Sequence, residues 1–351
     1  MGSTGRANRQ MGSAVDGRPG FVASLRAALP VEGLWTMPVV AAVSGGADSV
    51  ALLVALRRIV PSDSERRLIV VHAEHDLRST AAADRDFVAR LADRLGLAMI
   101  WRQLCVRNSD DLGEGIEGRA RRLRYEFLAE VAAELGARHV VVAHTADDQA
   151  ETILHRMLRG TGLAGLGGMT AARALSPGVS LLRPMLRLSR ADARAFLSVI
   201  GQEWREDPTN ADTRHARNFL RHEVITRCEN GPFPAATAAL VRLGHQAAVV
   251  AAAIRSAAEH LLESCSCRHA DGSIVLRINE LSGLDAHLIA EVFVALWRRE
   301  GWPQRDMTAK HYAALAEMVT AEHAMQTAFD APGRVAVRRL SDNQLTLARN
   351  A

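Results

Sequence analysis

The stretch VSGGADS (43–49) lies between an apolar run, PVVAAV (38–43), and a helical segment that begins near residue 49. Glycine at positions 45 and 46 allows successive N–H groups to point at an anion, and the positive end of the following helix adds to that attraction. Ser44 and Ser49 can donate hydroxyl hydrogen bonds, whereas Asp48 repels phosphate unless a cation such as Mg²⁺ lies between them. The stretch therefore predicts a strand, a phosphate-binding loop and a helix; the alternative is an ordinary strand–helix turn capped by Ser44.

This predicted loop contains no lysine, and Lys310 is the only lysine of the chain. The Walker motif requires a Gly-Lys-Ser/Thr ending, so the loop belongs to another kind of phosphate site. A second glycine-rich run, GTGLAG (160–165), has the spacing of a dinucleotide-binding loop. It follows a predicted helix rather than a strand, so we interpret it as a helix end and a loop.

Short apolar runs alternate with helical segments from residue 38 to residue 201. Strands that are apolar throughout indicate a parallel sheet covered on both faces. The pattern predicts an α/β, Rossmann-like domain with a doubly wound parallel five-stranded sheet, whose site lies beyond the carboxyl ends of the strands. The predicted strands are 38–43, 68–73, 97–104, 139–144 and 180–185, and the predicted helices are 49–60, 80–95, 116–136, 147–159 and 189–201.

The chain has 351 residues, which is too long for one ordinary domain. A Gly/Pro break, CENGPFP (228–234), predicts a boundary between a catalytic domain at 21–230 and a second domain at 231–351. The second domain is expected to be smaller, mostly helical and of the α+β class, with a long helix at about 235–263. Residues 1–20 are polar and glycine-rich and are predicted to form a flexible tail.

The composition indicates the cellular compartment and the kinds of partner that the protein can have. Four scattered cysteines do not make a disulfide framework, which favours a cytoplasmic location. No apolar run approaches the length that spans a membrane, so no membrane partner is expected. The net charge of +4 permits a polyanionic partner without requiring one.

An acidic motif, AHTADDQAET (143–152), follows the fourth predicted strand. It places Asp147, Asp148 and Glu151 in the first turns of the next helix, with Asp148 and Glu151 on one face. Acids at that position can cap the helix and balance its dipole. Two acids on one face at the site end of the sheet can also hold Mg²⁺ or a substrate ammonium, and we favour this functional interpretation.

Two arginine-rich stretches follow helical spacing. Arg121 and Arg124 lie in GIEGRARRLRY (115–125), a pattern that is more typical of a solvated helix face. In DTRHARNFLRHEV (212–224), a stripe of side chains predicts contacts with a phosphate backbone. The members of this stripe are Arg214, Arg217, Asn218 and Arg221.

Taken together, these stretches resemble one family. VSGGADS is similar to the PP-loop of the N-type ATP pyrophosphatases, and the combination with GIEGRARRLRY, AHTADDQAETILHRMLRGTGLAGLGGM, LLRPML, WREDPTN and RNFLR resembles the tRNA(Ile)-lysidine synthetase family in its short form. The resemblance covers roughly residues 39–225 and continues more weakly into the second domain. It departs from the family pattern in VHAEHDLR (71–78), at Glu74 and Asp76.

The resemblance implies a reaction. ATP would adenylate the C2 oxygen of the wobble cytidine in a CAU-anticodon tRNA(Ile), and free L-lysine would displace AMP. It implies ATP and Mg²⁺ as cofactors, tRNA(Ile) and lysine as partners, and allows a homodimer. The implied residues are Ser44, Gly45, Gly46, Ala47, Asp48 and Ser49 for ATP; Asp48, Arg124, Asp148 and Glu151 for catalysis; Asp148 and Glu151 for lysine; Asp48 and Asp147 for Mg²⁺; and Arg159, Arg214, Arg217, Asn218 and Arg221 for tRNA.

Two alternatives stay open at this point. A PP-loop tRNA thiolase would share the fold, but such enzymes need cysteines or an iron–sulfur cluster close to the loop, and no cysteine lies near SGGADS in the sequence. A catalytically silent tRNA-binding homologue would keep the fold without the chemistry. The intact loop and the acidic motif favour an enzyme over this second alternative.

Overall fold

The computed structural model of the chain describes residues 20–30, 33–75, 81–107, 115–206, 216–320 and 328–349. The chain divides into two compact units, Met1–His245 and Gln246–Ala351, each of which is described by itself. The division falls inside a long helix, after the Gly/Pro break at 228–234. The domain limits of 20/21 and 230/231 stay a prediction.

The first unit is built on a six-stranded sheet with the order β3-β2-β1-β4-β6-β5. Five of its strands run parallel, and they are the five that the sequence predicts. The doubly wound α/β fold is therefore confirmed. The strands are β1 (Val39–Ala42), β2 (Leu68–His75), β3 (Met99–Leu104), β4 (His139–Val141), β5 (Ala172–Ser176) and β6 (Val179–Leu182).

The sequence pattern does not predict strand β5. This strand pairs antiparallel with β6 across a tight turn in which Gly178 has a φ of 75°, a value that favours glycine. Its side chains are exposed or half-buried, so it has no apolar run by which a strand could be recognised. The hairpin places Arg173, opposite Leu181, near the carboxyl end of β6.

Alternation along β1 explains why helices cover both faces of the sheet. Val39 and Ala41 are fully buried in an apolar cluster with Leu52 and Leu53 of the helix that follows the loop. Val40 points to the other face and packs with Phe127 in a second cluster. The helices of this unit are α1 (Phe21–Ala27), α2 (Ala47–Ile59), α3 (Ala81–Arg94), α4 (Gly115–Glu134) and α5 (Ala146–Leu158), a short helix Leu163–Leu166, Arg190–Val199, and three consecutive segments Ala216–Phe219, Leu220–Ile225 and Thr226–Glu229.

The second unit contains a five-stranded antiparallel sheet with the order β7-β8-β11-β10-β9, packed with helices around its own core. The α+β class is confirmed. The core contains Trp297 and Phe293, both fully buried. The elements are β7 (Ser266–Arg268), β8 (Ile274–Arg277), β9 (Ala328–Ala331), β10 (Val335–Ser341) and β11 (Gln344–Arg349), with helices Ala286–Arg299 and Ala309–Thr320.

The helix Ala236–Cys265 corrects the expectation that no apolar run is long enough for a membrane. Among the described residues it is the one helix long and apolar enough to cross a membrane, with a mean hydropathy of 1.4 over its most apolar window. Only 11% of that window is buried. The charged residues of the helix do not lower the average below that of a membrane span, because alanine and valine fill the positions between them. A single such helix is weak evidence for a membrane segment.

Candidate active site

A cavity of about 1060 Å³ opens at the carboxyl ends of β1, β2 and β4, where a doubly wound sheet is expected to bind its ligand. Most of the residues predicted for ATP and for the acidic motif line it. Of the predicted site residues, those lining the cavity are Ser44, Gly46, Ala47, Asp48, Ser49, Arg124, Asp147, Asp148 and Arg221.

The loop VSGGADS lines one side of this cavity. The Ser49 hydroxyl donates to the Gly46 carbonyl at 2.9 Å and accepts from the N–H groups of Ser44 and Gly45 at 3.2 Å. Gly45 has a φ of 96°, in the left-handed region that favours glycine. The N–H of Arg205 donates to the Gly45 carbonyl at 2.9 Å, so a distant segment holds the loop in place.

Within the loop, Asp48 has a clearly shifted pKa. Burial raises the pKa of its carboxyl from 3.8 to about 6; Arg190 lowers it and the acids Asp148 and Asp147 raise it further. The nearest guanidinium atom, Nε of Arg190, is 3.6 Å away. Burial and two neighbouring carboxylates disfavour the charge of Asp48 more than Arg190 favours it, so the position would favour an added cation.

The acidic motif first serves its own helix. Thr145 and Asp148 form a capping box: the Thr145 N–H donates to Asp148 Oδ2 at 2.9 Å, and the Asp148 N–H donates to the Thr145 hydroxyl. The other oxygen, Oδ1, accepts from Arg190 Nη2 at 2.6 Å. Burial alone raises the pKa of Asp148, but Arg190 and the Thr145 N–H outweigh it, so the pKa lies below its ordinary value.

Glu151 lies deeper and is surrounded by arginines. Its side chain is 1% exposed. We call the acids and arginines that meet here the Glu151 cluster, which comprises Asp148, Glu151, Arg190, Arg217 and Arg221. The distances from Glu151 are 2.9 Å to Arg190 Nη1, 3.1 Å to Arg217 Nε and 2.7 Å to Arg221 Nε.

The Glu151 cluster changes how two predictions must be understood. Both oxygens of Glu151 already accept from guanidinium groups, so a lysine ammonium at this residue has to compete with them. Arg217 and Arg221, predicted to contact tRNA, turn towards Glu151 instead of lying free on the surface. Their assignment to tRNA, like that of Glu151 to lysine, stays a prediction.

Sequence reasoning misses Arg190. Its guanidinium contacts Asp148 and Glu151, and its backbone N–H donates to Asp147 Oδ2 at 2.9 Å. The only local signal is the capping box of Ser189 and Asp192, which marks the start of a helix at Arg190 and says nothing of its partner.

The cavity is also lined by Arg124, Tyr125 and His144. His144 Nδ1 accepts from Arg183 Nε at 3.2 Å, and burial lowers the pKa of the imidazole to about 3, so it is neutral at physiological pH. Burial also lowers the pKa of Arg124. Among the described residues, Arg124 makes no ion pair with an acid.

The remaining predicted residues lie elsewhere. Arg159 is exposed at the C-terminal end of α5, the far end of that helix from Asp148, and Asn218 does not line the cavity. Glu74 does line it; its side chain is buried and contacts Arg85 at 3.3 Å. Arg214 and Asp76 lie outside the described residues.

Comparison with known proteins defines the class first. A family model of the PP-loop domain matches residues 30–228, which contain the whole of the cavity described above. The chain belongs to the PP-loop family. It is similar over most of its length to curated proteins named tRNA(Ile)-lysidine synthase: the one from Salinispora tropica is 37% identical over 304 residues, 86% of this chain and 88% of that protein. The chain belongs to the tRNA(Ile)-lysidine synthase family.

Two further comparisons show how far this similarity extends. The tRNA(Ile)-lysidine synthase of Thermus thermophilus is 43% identical over 206 residues, which is 58% of this chain but only 38% of that protein. The chain thus matches well under half the length of that relative. Among solved structures, a U34-tRNA thiolase from Methanococcus maripaludis with its [4Fe-4S] cluster gives a TM-score of 0.52 at 15% identity, covering 64% of this chain and 77% of that one. This likeness shows the fold alone.

Proposed function

We propose that the protein ligates free L-lysine to C2 of the wobble cytidine of a CAU-anticodon tRNA(Ile) at the expense of ATP, as a ligase that forms a carbon–nitrogen bond. The observation that carries this proposal is that a lysine-free PP-loop and the acidic motif face one cavity in a member of the tRNA(Ile)-lysidine synthase family. We expect the reaction to take place in the cytoplasm.

The chemistry divides into two balanced steps. The C2 oxygen of cytidine attacks the α-phosphorus of ATP, and pyrophosphate leaves. The unprotonated ε-amine of lysine then attacks C2, and AMP leaves with the former C2 oxygen. The PP-loop N–H groups and the start of α2 would hold the departing pyrophosphate, which explains why a lysine that serves γ-phosphate transfer is not needed.

The incoming amine needs an acid close by. At pH 7 only about one lysine side chain in 2,500 is unprotonated, a deficit of about 4.6 kcal/mol. A carboxylate that binds the ammonium and accepts its proton offsets part of this deficit. Asp148 faces the cavity and is 14% exposed, whereas Glu151 is buried among arginines, so we assign contact with lysine to Asp148 and the alignment of Arg190 and Arg221 to Glu151.

The donor set at the loop fits Mg²⁺. This ion is usually held by one or two carboxylates together with substrate phosphates, and Asp48 and Asp147 both face the cavity. No group of three or more His, Cys, Asp or Glu residues in the described part of the chain is placed to hold a metal unaided. When bound, Mg²⁺ would neutralise phosphate charge; Asp48 and Asp147 would orient it.

The test is incorporation of labelled lysine into a CAU-anticodon tRNA(Ile) transcript, with ATP present or omitted, while AMP and pyrophosphate are counted. We expect ATP-dependent labelling with one AMP released per lysine, and we expect Asp148→Asn to lower the rate of labelling by at least about 100-fold. ATP–pyrophosphate exchange without labelling would contradict the lysine step, and the absence of both would favour a silent tRNA-binding homologue. The thiolase alternative loses support because none of the four cysteines, all of which the structure describes, lines the cavity.

A further inference from the structure

A group of arginines around Tyr125 has no assigned step in the proposed reaction, although the family resemblance implies a catalytic role for one of them, Arg124. Four guanidinium groups converge on Tyr125, and we call them the Tyr125 cluster: Arg121, Arg124, Arg173 and Arg183. Three of them stack over its ring, with guanidinium carbons 5.1 Å, 5.4 Å and 4.9 Å from the centroid for Arg121, Arg124 and Arg173. They come from α4, from β5 and from the residue after β6, elements that meet at the carboxyl end of the sheet.

The Tyr125 cluster lacks counter-charges. In the described part of the chain, none of its four arginines forms an ion pair with Asp or Glu. Arg183 is 4% exposed and donates to neutral partners, among them the Thr170 carbonyl at 2.8 Å and the His144 ring. Arg173 donates to the carbonyl of Ala174 at 3.0 Å. Like charges gathered in a partly buried place repel each other strongly, so the arrangement is costly unless an anion joins it.

The phenol at the centre has only weak contacts with two arginines of the cluster. Tyr125 Oη is buried and makes no hydrogen bond of normal geometry within the described residues, although Arg124 and Arg183 lie close enough to polarise it. Burial raises the pKa of this phenol, but Arg121, Arg124 and Arg183 outweigh burial and leave the pKa below its ordinary value. Tyr125 and Arg124 both line the cavity, so an anion that enters the cavity can reach them.

We propose that the Tyr125 cluster binds a phosphodiester of the RNA substrate and so anchors the anticodon loop at the cavity that the acidic motif also lines. Planar guanidinium groups match phosphate oxygens in pairs, and a phenol adds one donor. This inference rests on the proposed function, from which it takes the RNA. ATP could supply phosphate too, but its phosphates are already assigned to the PP-loop.

The experiment measures binding, without catalysis, of an anticodon stem-loop RNA to the full chain as salt is varied. The variant is Arg121→Gln/Arg173→Gln, which leaves the buried Arg183 in place. The matched control, Arg66→Gln/Arg138→Gln, removes the same charge from exposed arginines that precede β2 and β4, at the amino ends of the parallel strands. ATP binding is measured for both variants in a second experiment without RNA.

We expect the Tyr125-cluster variant to bind the RNA about tenfold more weakly. We also expect the slope of log affinity against log salt to fall by about 0.7, the value for one phosphate of a single strand that the variant no longer neutralises. The control should keep the slope, and both variants should bind ATP as the wild type does. An unchanged slope in the Tyr125-cluster variant would overturn the proposal. So would weakened ATP binding with intact RNA binding, because the bound phosphate would then be that of the nucleotide.

Lysine labelling by the wild type, run in parallel, separates this inference from the proposed function. A wild type that binds the RNA through the Tyr125 cluster but transfers no lysine contradicts the proposed reaction alone. A wild type that transfers lysine, with a cluster variant whose salt slope is unchanged, contradicts the phosphodiester site alone.

Discussion

The two arginine clusters of the α/β unit use the same side chain in opposite ways. In the Glu151 cluster, three guanidinium groups surround a carboxylate that is 1% exposed, and a second acid, Asp148, adjoins them. In the Tyr125 cluster, the guanidinium groups surround a neutral phenol and have no acid among the described residues. The first arrangement is complete within the chain, whereas the second is complete only when an anion binds. The difference implies that the first contributes to folding and that the second opposes it in favour of binding.

The largest expected effect on stability comes from disrupting the Glu151 cluster. Glu151→Gln keeps the shape of the side chain but leaves three arginines around a neutral group at a position that is 1% exposed. Removing one member of a buried ion pair typically costs about 3–5 kcal/mol because the remaining charge stays desolvated. We expect a loss of this size in the free energy of unfolding, measured by urea denaturation.

The control for Glu151→Gln is Glu65→Gln, which removes a similar contact at the surface. Glu65 contacts Arg57 at 2.8 Å, but its side chain is 38% exposed. Exposed pairs contribute less than about 1 kcal/mol. Equal losses in the two variants would contradict the view that burial makes the Glu151 cluster stabilising.

The next effect concerns Asp48, which stands at the edge of the Glu151 cluster with an incomplete set of partners. Its pKa is about 6 in the folded chain against 3.8 ordinarily, so between pH 4 and 6 the folded state holds a proton that the unfolded state has lost. The free energy of unfolding therefore falls as the pH rises through this window and stays lower above it.

Replacing Asp48 tests this directly. We expect Asp48→Asn to be more stable than the wild type at pH 7.5, by on the order of 2 kcal/mol, and to match it near pH 4. Added Mg²⁺ with ATP should stabilise the wild type more than the variant. Urea denaturation at the two pH values measures the difference; a gain of the same size at both would mean that the carboxyl charge is not its cause.

The sequence predicts the fold far better than it predicts these clusters. Four parallel strands, β1, β2, β4 and β6, are recognisable because burial on both faces makes each of them an apolar run. The parallel strand β3 is more exposed, and β5 is missed because its residues are exposed or half-buried. Asp148 and Glu151 are recognisable by their position after a strand. Arg190 lies 42 residues from Asp148, and no local pattern links the two.

The sequence also does not show whether an arginine pairs with an acid of the chain or is available to bind an anion. The stripe that contains Arg217 and Arg221 predicts contacts with RNA phosphate, yet both side chains bind an acid about 70 residues away in sequence. The spacing of Arg121 and Arg124 is typical of a solvated face, yet they converge with Arg173 on one ring. Helical spacing reports which side chains share a face; which charge that face meets is decided by contacts across the fold.

The smallest expected effect is a change in the free energy of unfolding opposite in sign to the loss expected for Glu151→Gln. Arg124→Gln removes a desolvated charge, whose pKa burial lowers, from a cluster without acids among the described residues. We expect the free energy of unfolding to stay the same or to rise by up to about 1 kcal/mol, since weaker stacking on Tyr125 offsets part of the relieved repulsion. Urea denaturation measures the change, as it does for the Glu151 cluster.

The matched variant for Arg124→Gln is Arg190→Gln, which should lose stability because Asp148 and Glu151 lose their shared partner. A short RNA oligonucleotide should stabilise the wild type more than Arg124→Gln, because a ligand stabilises only the form that binds it. A loss of stability in Arg124→Gln as large as that in Arg190→Gln would show that the Tyr125 cluster is also part of the folded framework. The distinction between the two groups of arginines would then not hold, because both would contribute to folding rather than one to folding and one to binding.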